Sequence, residues 1–459
     1  MDLEDVALLT SDQGRLLLAS LPEYDPKLVI KLSEGLRRRG IDPKLVAAAL
    51  TQNRLRARAR AKFGPFADQM LFTDQGLQQA TRLVVAARHA ERYLPGGAGQ
   101  SGQSAAPPNQ SARDRRVADL TGGIGGDALA MAALGLRVTV YERDPVTAGV
   151  ARANLAAFPE ARVIAADALE ADLSYADALF ADPSRRSADG RRVFDPAAYD
   201  PPLERLWALA GGRPLGVKVA PGIAHRAIPP RAEAEWVSVD RQVVEAGIWF
   251  GRLCQADGAE PPPDPAGRGF GPRRAALVIR QGRAHRLTQF SDPAEFPHSA
   301  DDAARTPGPA APRPPARAAR LATGPLQEFI YEPDGAVIRA CLIAEAAATL
   351  GPGPAAPTLV NSRIAYVTAA VEAPWNPFWT GYRVEDAFDF NLKRLRAHLR
   401  ARGIGQIVVK KRGSPVDPAE LRKRLAPKGD GSAVVILTRL GARQSVVIAQ
   451  PLRSAKETP

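Results

Sequence analysis

The spacing of apolar residues changes period several times along the chain, and each change marks a part of the protein. Over residues 1–93 the period is helical. In 74–93, Leu77, Ala80, Leu83, Val84 and Ala87 share a face behind Thr73, a residue suited to capping a helix, and one helix is predicted there. Residues 1–93 therefore read as an all-α domain, and 94–114, rich in Gly, Ser, Gln and Pro, as a flexible linker. From 115 to 254, apolar strands alternate with helix-length segments: VADL, RVTVYE, ARVIAADA, ADALFADP, PLGVKVAP, and a closing pair, EWVSVDR and VVEAGIWFG. This alternation predicts an α/β fold, a doubly wound parallel sheet with an antiparallel edge, whose ligands gather at the carboxyl ends of the strands. Beyond it, Pro/Arg/Gly-rich breaks at 255–273 and 300–325 flank a short β pair, RRAALVIR and RAHRLTQF. A helix over 334–350 and the strand RIAYVTA follow. The last module, 378–455, reads strand, helix over 386–402, strand QIVVKKR, helix over 418–425, and the strands SAVVILTRL and QSVVIAQ.

The turn between the first two strands carries the candidate chemistry. In LTGGIGGDALA, Gly122, Gly123, Gly125 and Gly126 lack the Cβ that keeps backbone away from a ligand, and they stand where a strand hands over to a helix N-terminus. Glu142 closes the second strand, where a carboxylate reaches a ribose diol. The run from Gly123 to Ala128 matches the dinucleotide fingerprint only in part. Asp119, just before the glycines, would repel a pyrophosphate but suits the ammonium end of S-adenosylmethionine, so a methyl donor is favoured over a nicotinamide dinucleotide. Asp167, at the end of the third strand, is placed to accept the adenine amino hydrogens.

Composition narrows the classes. Across 459 residues the formal net charge is +13, which points to a polyanionic partner or to an Arg-rich compositional bias. Only Cys254 and Cys341 occur, without metal-ligand or disulfide spacing, so no metal site is expected. Neither a membrane-length apolar run nor a basic N-terminal leader is present, and a cytoplasmic location is the expectation. Arg54, Arg56, Arg58, Arg60 and Lys62 spread around a helix, as a solvated face or as an RNA-contacting arm.

The fourth strand ends in Asp182-Pro183-Ser184-Arg185-Arg186, at the mouth of this pocket. A carboxylate and the following proline carbonyl can accept hydrogen bonds from an aromatic amine and localise its delocalised lone pair, so Asp182 is the candidate for orienting a nucleophile. Arg185, Arg186, Arg191 and Arg192 form either a phosphate clamp or a solvated loop. His225, after the fifth strand, reads as a hydrogen-bonded loop histidine. In the last module, Lys410, Lys411, Arg412, Arg422, Lys423 and Arg424 could follow a phosphate backbone. Trp375, Phe378, Trp379 and Tyr382 form either a stacking platform or a buried seam.

The segments DLTGGIGGD, VYERDP, FADPSRR, VKVAPGI and VVEAGIWFG resemble the class I S-adenosylmethionine-dependent methyltransferases that carry a THUMP-like C-terminal domain. The glycine turn and second strand also resemble trimethylguanosine synthase, an RNA cap guanine N2 methyltransferase. Likeness continues through FIYEPDGAVIRA, similar to a ferredoxin-like piece, and IVVKKRG, similar to the THUMP-like module. The resemblance implies a Rossmann-like seven-stranded methyltransferase sheet at 115–254, a ferredoxin-like segment at 270–372 with a Pro/Arg-rich insertion at 300–325, and a THUMP-like domain at 378–455. It implies donor contacts at Asp119, Gly123, Gly125, Glu142 and Asp167, a catalytic loop at Asp182 and Pro183, and substrate contacts at Arg185, Arg186, Lys410, Lys411 and Arg412. Two departures stand out. Gly122 replaces a frequent cysteine, and Arg185 replaces the aromatic that closes the catalytic loop. The expected function is methylation of a nitrogen in a structured RNA. The rivals are a methyltransferase of protein or small molecules, and an RNA-binding protein that retains the pocket without turnover.

Overall fold

The structure, a computed structural model, describes residues 1–94, 115–185, 195, 198–210, 212–230, 232–254, 273–289, 321–350 and 356–452. They form two compact units. One holds the described residues up to Glu233 and those from Ala246 to Cys254; the other holds Ala234–Glu245 and everything from Arg273 onward.

In the first unit the chain runs α1 (Leu3–Thr10), α2 (Asp12–Ser20), α3 (Val29–Arg38), α4 (Pro43–Phe63), α5 (Asp74–Gln79), α6 (Leu83–Glu91), β1 (Arg116–Asp119), α7 (Gly126–Ala133), β2 (Arg137–Tyr141), α8 (Pro145–Leu155), β3 (Ala161–Ile164), β4 (Ala178–Ala181), α9 (Leu203–Ala210) and β5 (Leu215–Val219). Strands β3, β2, β1, β4 and β5 lie side by side in that order, all parallel. The end of β7 (Gln242–Trp249) pairs antiparallel with β5, matching Gly216 with Trp249 and Val219 with Ala246. Every residue of β4 and β5 is buried, as a central parallel strand covered on both faces requires.

The N-terminal helices and this sheet share one core. Leu45, Leu55, Phe63 and Phe72 pack in the same apolar cluster as Val117, Met131, Val138 and Val140. Two buried amides fix this region: Gln52 brackets the backbone of Phe72 within the helical part at 2.8 and 2.9 Å, and Asn154 crosses the seam, accepting from Leu71 N at 2.7 Å while donating to Leu71 O and Ile124 O. Buried amides satisfied this completely hold one register, because any slip would orphan several groups at once.

Two expectations for this region change. The helix predicted over 74–93 is broken: Thr73 does cap α5, accepting from Gly76 N at 2.9 Å, but α5 stops at Gln79. Lys62 Nζ takes the carbonyls of Leu77, Gln78 and Ala80 at 2.7–2.9 Å, and Thr81 turns inward, so tertiary bonds replace the helical ladder across the gap. Nor do the cations of α4 form a free arm. Arg54 and Arg58 both pair with Asp74, Arg60 reaches Glu23 and Asp68, and Arg56 Nε donates to Met70 O.

The second unit contains β6 (Glu233–Val239) from Ala234 onward, the start of β7, β8 (Arg273–Arg280), β9 (Arg283–Gln289), β10 (Phe329–Pro333), α10 (Gly335–Arg339), α11 (Ile343–Ala348), β11 (Thr358–Asn361), β12 (Ile364–Ala369), β13 (Trp379–Asp389), α12 (Leu392–Ala401), β14 (Ile404–Lys411), α13 (Pro418–Leu425), β15 (Gly431–Leu440) and β16 (Arg443–Pro451). Strand β6 neighbours β8, which pairs antiparallel with β9. A second sheet has the order β11-β12-β10-β13-β16-β15-β14, antiparallel except for β14 with β15. Along β15 alternate side chains serve two apolar layers. Val435 and Leu437 meet Leu395, Leu399, Leu421 and Leu425 of α12 and α13, while Val434 and Ile436 join Tyr366 and Tyr382 on the other face.

Here too the helix boundaries move. The helix expected over 386–402 begins only at Leu392, behind an Asn391 cap, because Ala387 and Phe388 continue the ladder opposite Val447 and Val446. The helix expected over 334–350 splits at Cys341, whose φ is +56°. The linker beyond residue 94 and the insertion at 300–325 up to residue 320 lie outside the described residues.

Candidate cofactor and catalytic site

The glycine turn is held open by its own conformation. Gly123 and Gly125 have φ of +53° and +83°, which side-chain-bearing residues rarely adopt, and Gly125 forms the left-handed start of α7. A Cβ on Gly123 would meet nothing within 4 Å, so the turn offers bare backbone to open space, whereas a Cβ on Gly122 would sit 1.9 Å from Val140 Cγ1. Gly122 is therefore demanded by the wall of β2, and the cysteine common at this position in the similar sequences would clash here. The turn is also tied to its acid: Gly123 N donates to Glu142 Oε2 at 2.9 Å.

Acidic side chains gather around the turn. Asp119 is buried at the end of β1 and accepts from Thr121 N at 3.2 Å. Burial first, and then the charge of Asp127, push its carboxyl well above the usual carboxylate range, with Asp182 and Glu142 adding to the shift. Asp167 follows β3 and accepts from Leu169 N at 2.9 Å; like Glu142, it lies within electrostatic reach of Arg143. The structure thus brings Asp119, Glu142 and Asp182 into one field around the glycines. A buried carboxyl destabilised in its charged form, beside a turn without side chains, suits a ligand that is cationic at one end and approaches the backbone closely. The residues therefore fit a sulfonium nucleoside donor.

Asp182 is fixed from two sides. Its backbone N–H donates to Thr121 Oγ1 at 2.5 Å, linking the candidate catalytic loop to the end of β1, and its carboxylate forms an ion pair with Lys218 Nζ. Pro183 is buried behind it. Lys218 belongs to β5, where a charge in the otherwise apolar run LGVKV needs a partner. It has a second one in Thr81, whose Oγ1 accepts from Nζ at 2.9 Å and donates to Asp127 Oδ2 at 2.8 Å; Asp127 Oδ1 in turn meets His89 Nδ1 at 2.9 Å. A continuous polar chain therefore runs from the catalytic loop through β5 and the α5–α6 gap to α7 and α6. Burial alone would raise Asp127, but the His89 hydrogen bond and the charges of His89 and Lys218 hold it below the usual carboxylate range. Sequence reading gave Thr81, Asp127, His89 and Lys218 no role. The one available signal was the lone lysine inside a buried strand.

The predicted substrate residues are divided between the two units. Arg185 ends the described part of the catalytic loop, with a buried Nη1 that has no hydrogen-bond partner among the described residues. Arg186, Arg191 and Arg192 fall outside those residues. In the second unit, Lys410 pairs with Glu332 and lies 5.6 Å from the Tyr382 ring, while Arg412 reaches Glu332 at 3.7 Å and lies over Tyr366. Of the predicted trio only Lys411 is exposed and without an ion-pair partner among the described residues. Trp379 and Tyr382 are buried, so they are core rather than platform, and Trp375 packs edge-on against His285.

Fold and site together define an α/β enzyme that binds an adenosine-type cationic cofactor at the carboxyl ends of its strands. Similarity narrows the class. Residues 80–178 match the family described as "Putative SAM-dependent methyltransferase", residues 379–451 match "THUMP domain-like", and residues 2–59 match a domain of unknown function. Uncharacterised S-adenosylmethionine-dependent methyltransferases of two Mycobacterium tuberculosis strains, CDC 1551 and H37Rv, are each 32% identical over 405 residues, covering 84% of this chain and 91% of theirs. The crystal structure of a "putative methyltransferase from Porphyromonas gingivalis W83" has a TM-score of 0.62 at 19% identity, covering 95% of this chain and all of that one, which shows a shared fold. The chain belongs to the S-adenosylmethionine-dependent methyltransferases and carries a THUMP domain-like segment; its cofactor is S-adenosylmethionine. Among the described residues no helix is long and apolar enough to cross a membrane.

Proposed function

We propose that this enzyme methylates a nitrogen of a structured RNA, with Asp182 and Pro183 as the catalytic loop. The observation that carries this reading is the fixed Asp182 carboxylate, paired with Lys218, beside the glycine turn and Asp119. Asp119, Gly123, Gly125, Glu142 and Asp167 would hold the donor, which supplies an electrophilic methyl group when bound. The Asp182 carboxylate would accept a hydrogen bond from the attacking amine and localise its lone pair, and Lys218 holds Asp182 in place for that task. The unpartnered Arg185 Nη1 supports a substrate oxygen at the loop end, from a phosphate or a base carbonyl. The net charge of +13 favours RNA over protein or small molecules. The order β3-β2-β1-β4-β5-β7 within the first unit supports the seven-stranded methyltransferase layout, and the glycine turn supports the likeness to guanine N2 methyltransferases. We assign 1–93 to a helical domain, 94–114 to a linker, 115–254 to the catalytic domain, and 270–372 and 378–455 to the ferredoxin-like and THUMP-like parts. Mass spectrometry of modified nucleosides in RNA from cells with and without the gene tests the reading; an unchanged nucleoside profile, with methyl transfer to protein in vitro, defeats it.

A proton should accompany donor binding. Asp119 starts with a raised pKa, and a positive donor beside it draws that value down, so the carboxyl ionises on binding. Protonation then competes with binding: affinity is expected to rise with pH between the bound-state and free-state values and to fall on acidification. Calorimetry in buffers of different ionisation enthalpy reads the released proton directly. A pH-independent affinity with no proton release removes Asp119 from the donor site.

A further inference from the structure

Basic residues on α12 are sorted by face. Arg394 lies over the Phe388 ring at 4.4 Å, His398 Nδ1 is 3.2 Å from Asp386, and Arg402 pairs with Glu385 at 3.2 Å. That row, spaced four residues apart, is used up in contacts with β13. The next row, Arg396 and Arg400, points instead toward α13, where the chain leaves the helix through Ala426 in a left-handed conformation (φ 41°, ψ 57°) and brings Lys428 round beside Arg424. The four cations line a cleft of about 310 Å³ floored by Leu399 and Leu425. None of them has an ion-pair partner among the described residues, whereas Lys410 and Arg412, the cations expected to hold the substrate, are neutralised by Glu332.

Part of this arrangement has an internal explanation. Arg396 Nη2 donates to the carbonyl of Arg424 and so satisfies the end of α13, and cations in a last helical turn complement the helix dipole. The dipole also accounts for Arg400, in the last turn of α12, but neither reason applies to Lys428, which lies beyond the end of α13. Four like charges converging on one concave site repel each other, and the arrangement is relieved when an anion sits between them. The floor is aliphatic and no aromatic side chain lines the cleft, so it offers nothing on which a base could stack. Guanidinium groups matched to phosphate oxygens, without a base platform, make a reader of backbone rather than of sequence.

We infer that the cleft between α12 and α13, lined by Arg396, Arg400, Arg424 and Lys428, binds the phosphodiester backbone of the substrate RNA. The inference rests on the RNA reading proposed above. It moves the anchor of the THUMP-like module away from Lys410 and Arg412.

The test uses full-length protein and the double variant Arg400→Gln/Lys428→Gln, which spares both Arg396 and the end of α13. Fluorescence anisotropy with bulk transfer RNA and with a 20-residue polyuridylate, from 50 to 300 mM KCl, gives affinity and its salt dependence. The double variant is expected to lose about tenfold or more in RNA affinity and to lower the log–log salt slope by about 1.5, close to 0.7–0.9 per phosphate contact removed. Donor affinity and thermal midpoint should stay unchanged, and Lys410→Gln/Arg412→Gln should change the slope far less. Wild-type protein that binds RNA while the double variant matches it in affinity and slope overturns the cleft and leaves the RNA reading intact. No salt-dependent RNA binding by the wild type overturns both. Tight binding of inorganic tripolyphosphate, abolished in the double variant without any loss of RNA affinity, assigns the cleft to a small anion and also overturns it.

Discussion

Changing Asp182 to Ala is expected to lower methyl transfer by about 10²–10³-fold, the cost typical of removing one positioned polar group that acts on the transition state. Donor affinity should stay within a few fold. The division follows from the geometry: the Asp182 carboxylate is held by Lys218, and its backbone is tied to Thr121, whereas the groups proposed to face the donor are the glycine turn, Asp119 and Glu142. Transfer of labelled methyl groups into bulk cellular RNA, run beside calorimetry with the donor, separates the two effects. Parallel loss of donor binding and transfer would show that Asp182 belongs to the cofactor site or supports the fold. Full retention of transfer would leave the catalytic loop without its proposed acid.

The second large effect concerns stability. Asp127→Ala is expected to destabilise the first unit by about 3–5 kcal/mol, because it strands a buried network rather than deleting an isolated contact. Asp127 is the acid between His89 and Thr81, and its charge helps balance the buried Lys218. With it gone, Thr81 and His89 lose a buried acidic partner, and the charge that helps balance Lys218 is removed. Denaturant unfolding reads the change as a lowered midpoint at unchanged slope. A loss below about 1 kcal/mol would mean the chain of bonds is solvated or redundant. The same variant probes how the N-terminal helices serve the site, since Thr81 and His89 both come from that segment.

How far the site was legible in the chain depends on the kind of constraint. Gly123, Gly125, Asp119 and Glu142 could be read because a bare turn between a strand and a helix, with acids at strand ends, is a local pattern. Asp182-Pro183 was legible for the same reason: it directly follows a strand. Thr81, His89 and Lys218 were not, because they meet across 137 and 46 positions of sequence in bonds such as Lys218 to Thr81 and Thr81 to Asp127. The break between α5 and α6 shows the conflict in one place. Helical periodicity continues across 80–82, but three carbonyls taken by Lys62 and a hydroxyl taken by Asp127 outweigh the local preference.

Charge was the least legible property. A row of arginines on α4 and the Lys410–Arg412 run look alike in the sequence as free cations, yet Asp74, Glu23, Asp68 and Glu332 neutralise most of them. Arg396, Arg400, Arg424 and Lys428, scattered in the chain, line one cleft without an ion-pair partner among the described residues. Strand alternation, the glycine turn and the cofactor class were thus settled by the order of residues alone, because backbone conformation and burial period are local. Which acids feel one another, where helices stop and which cations stay free were decided only by tertiary structure. Coulomb energy and hydrogen bonding depend on distances in space, which the position of a residue in the chain does not set.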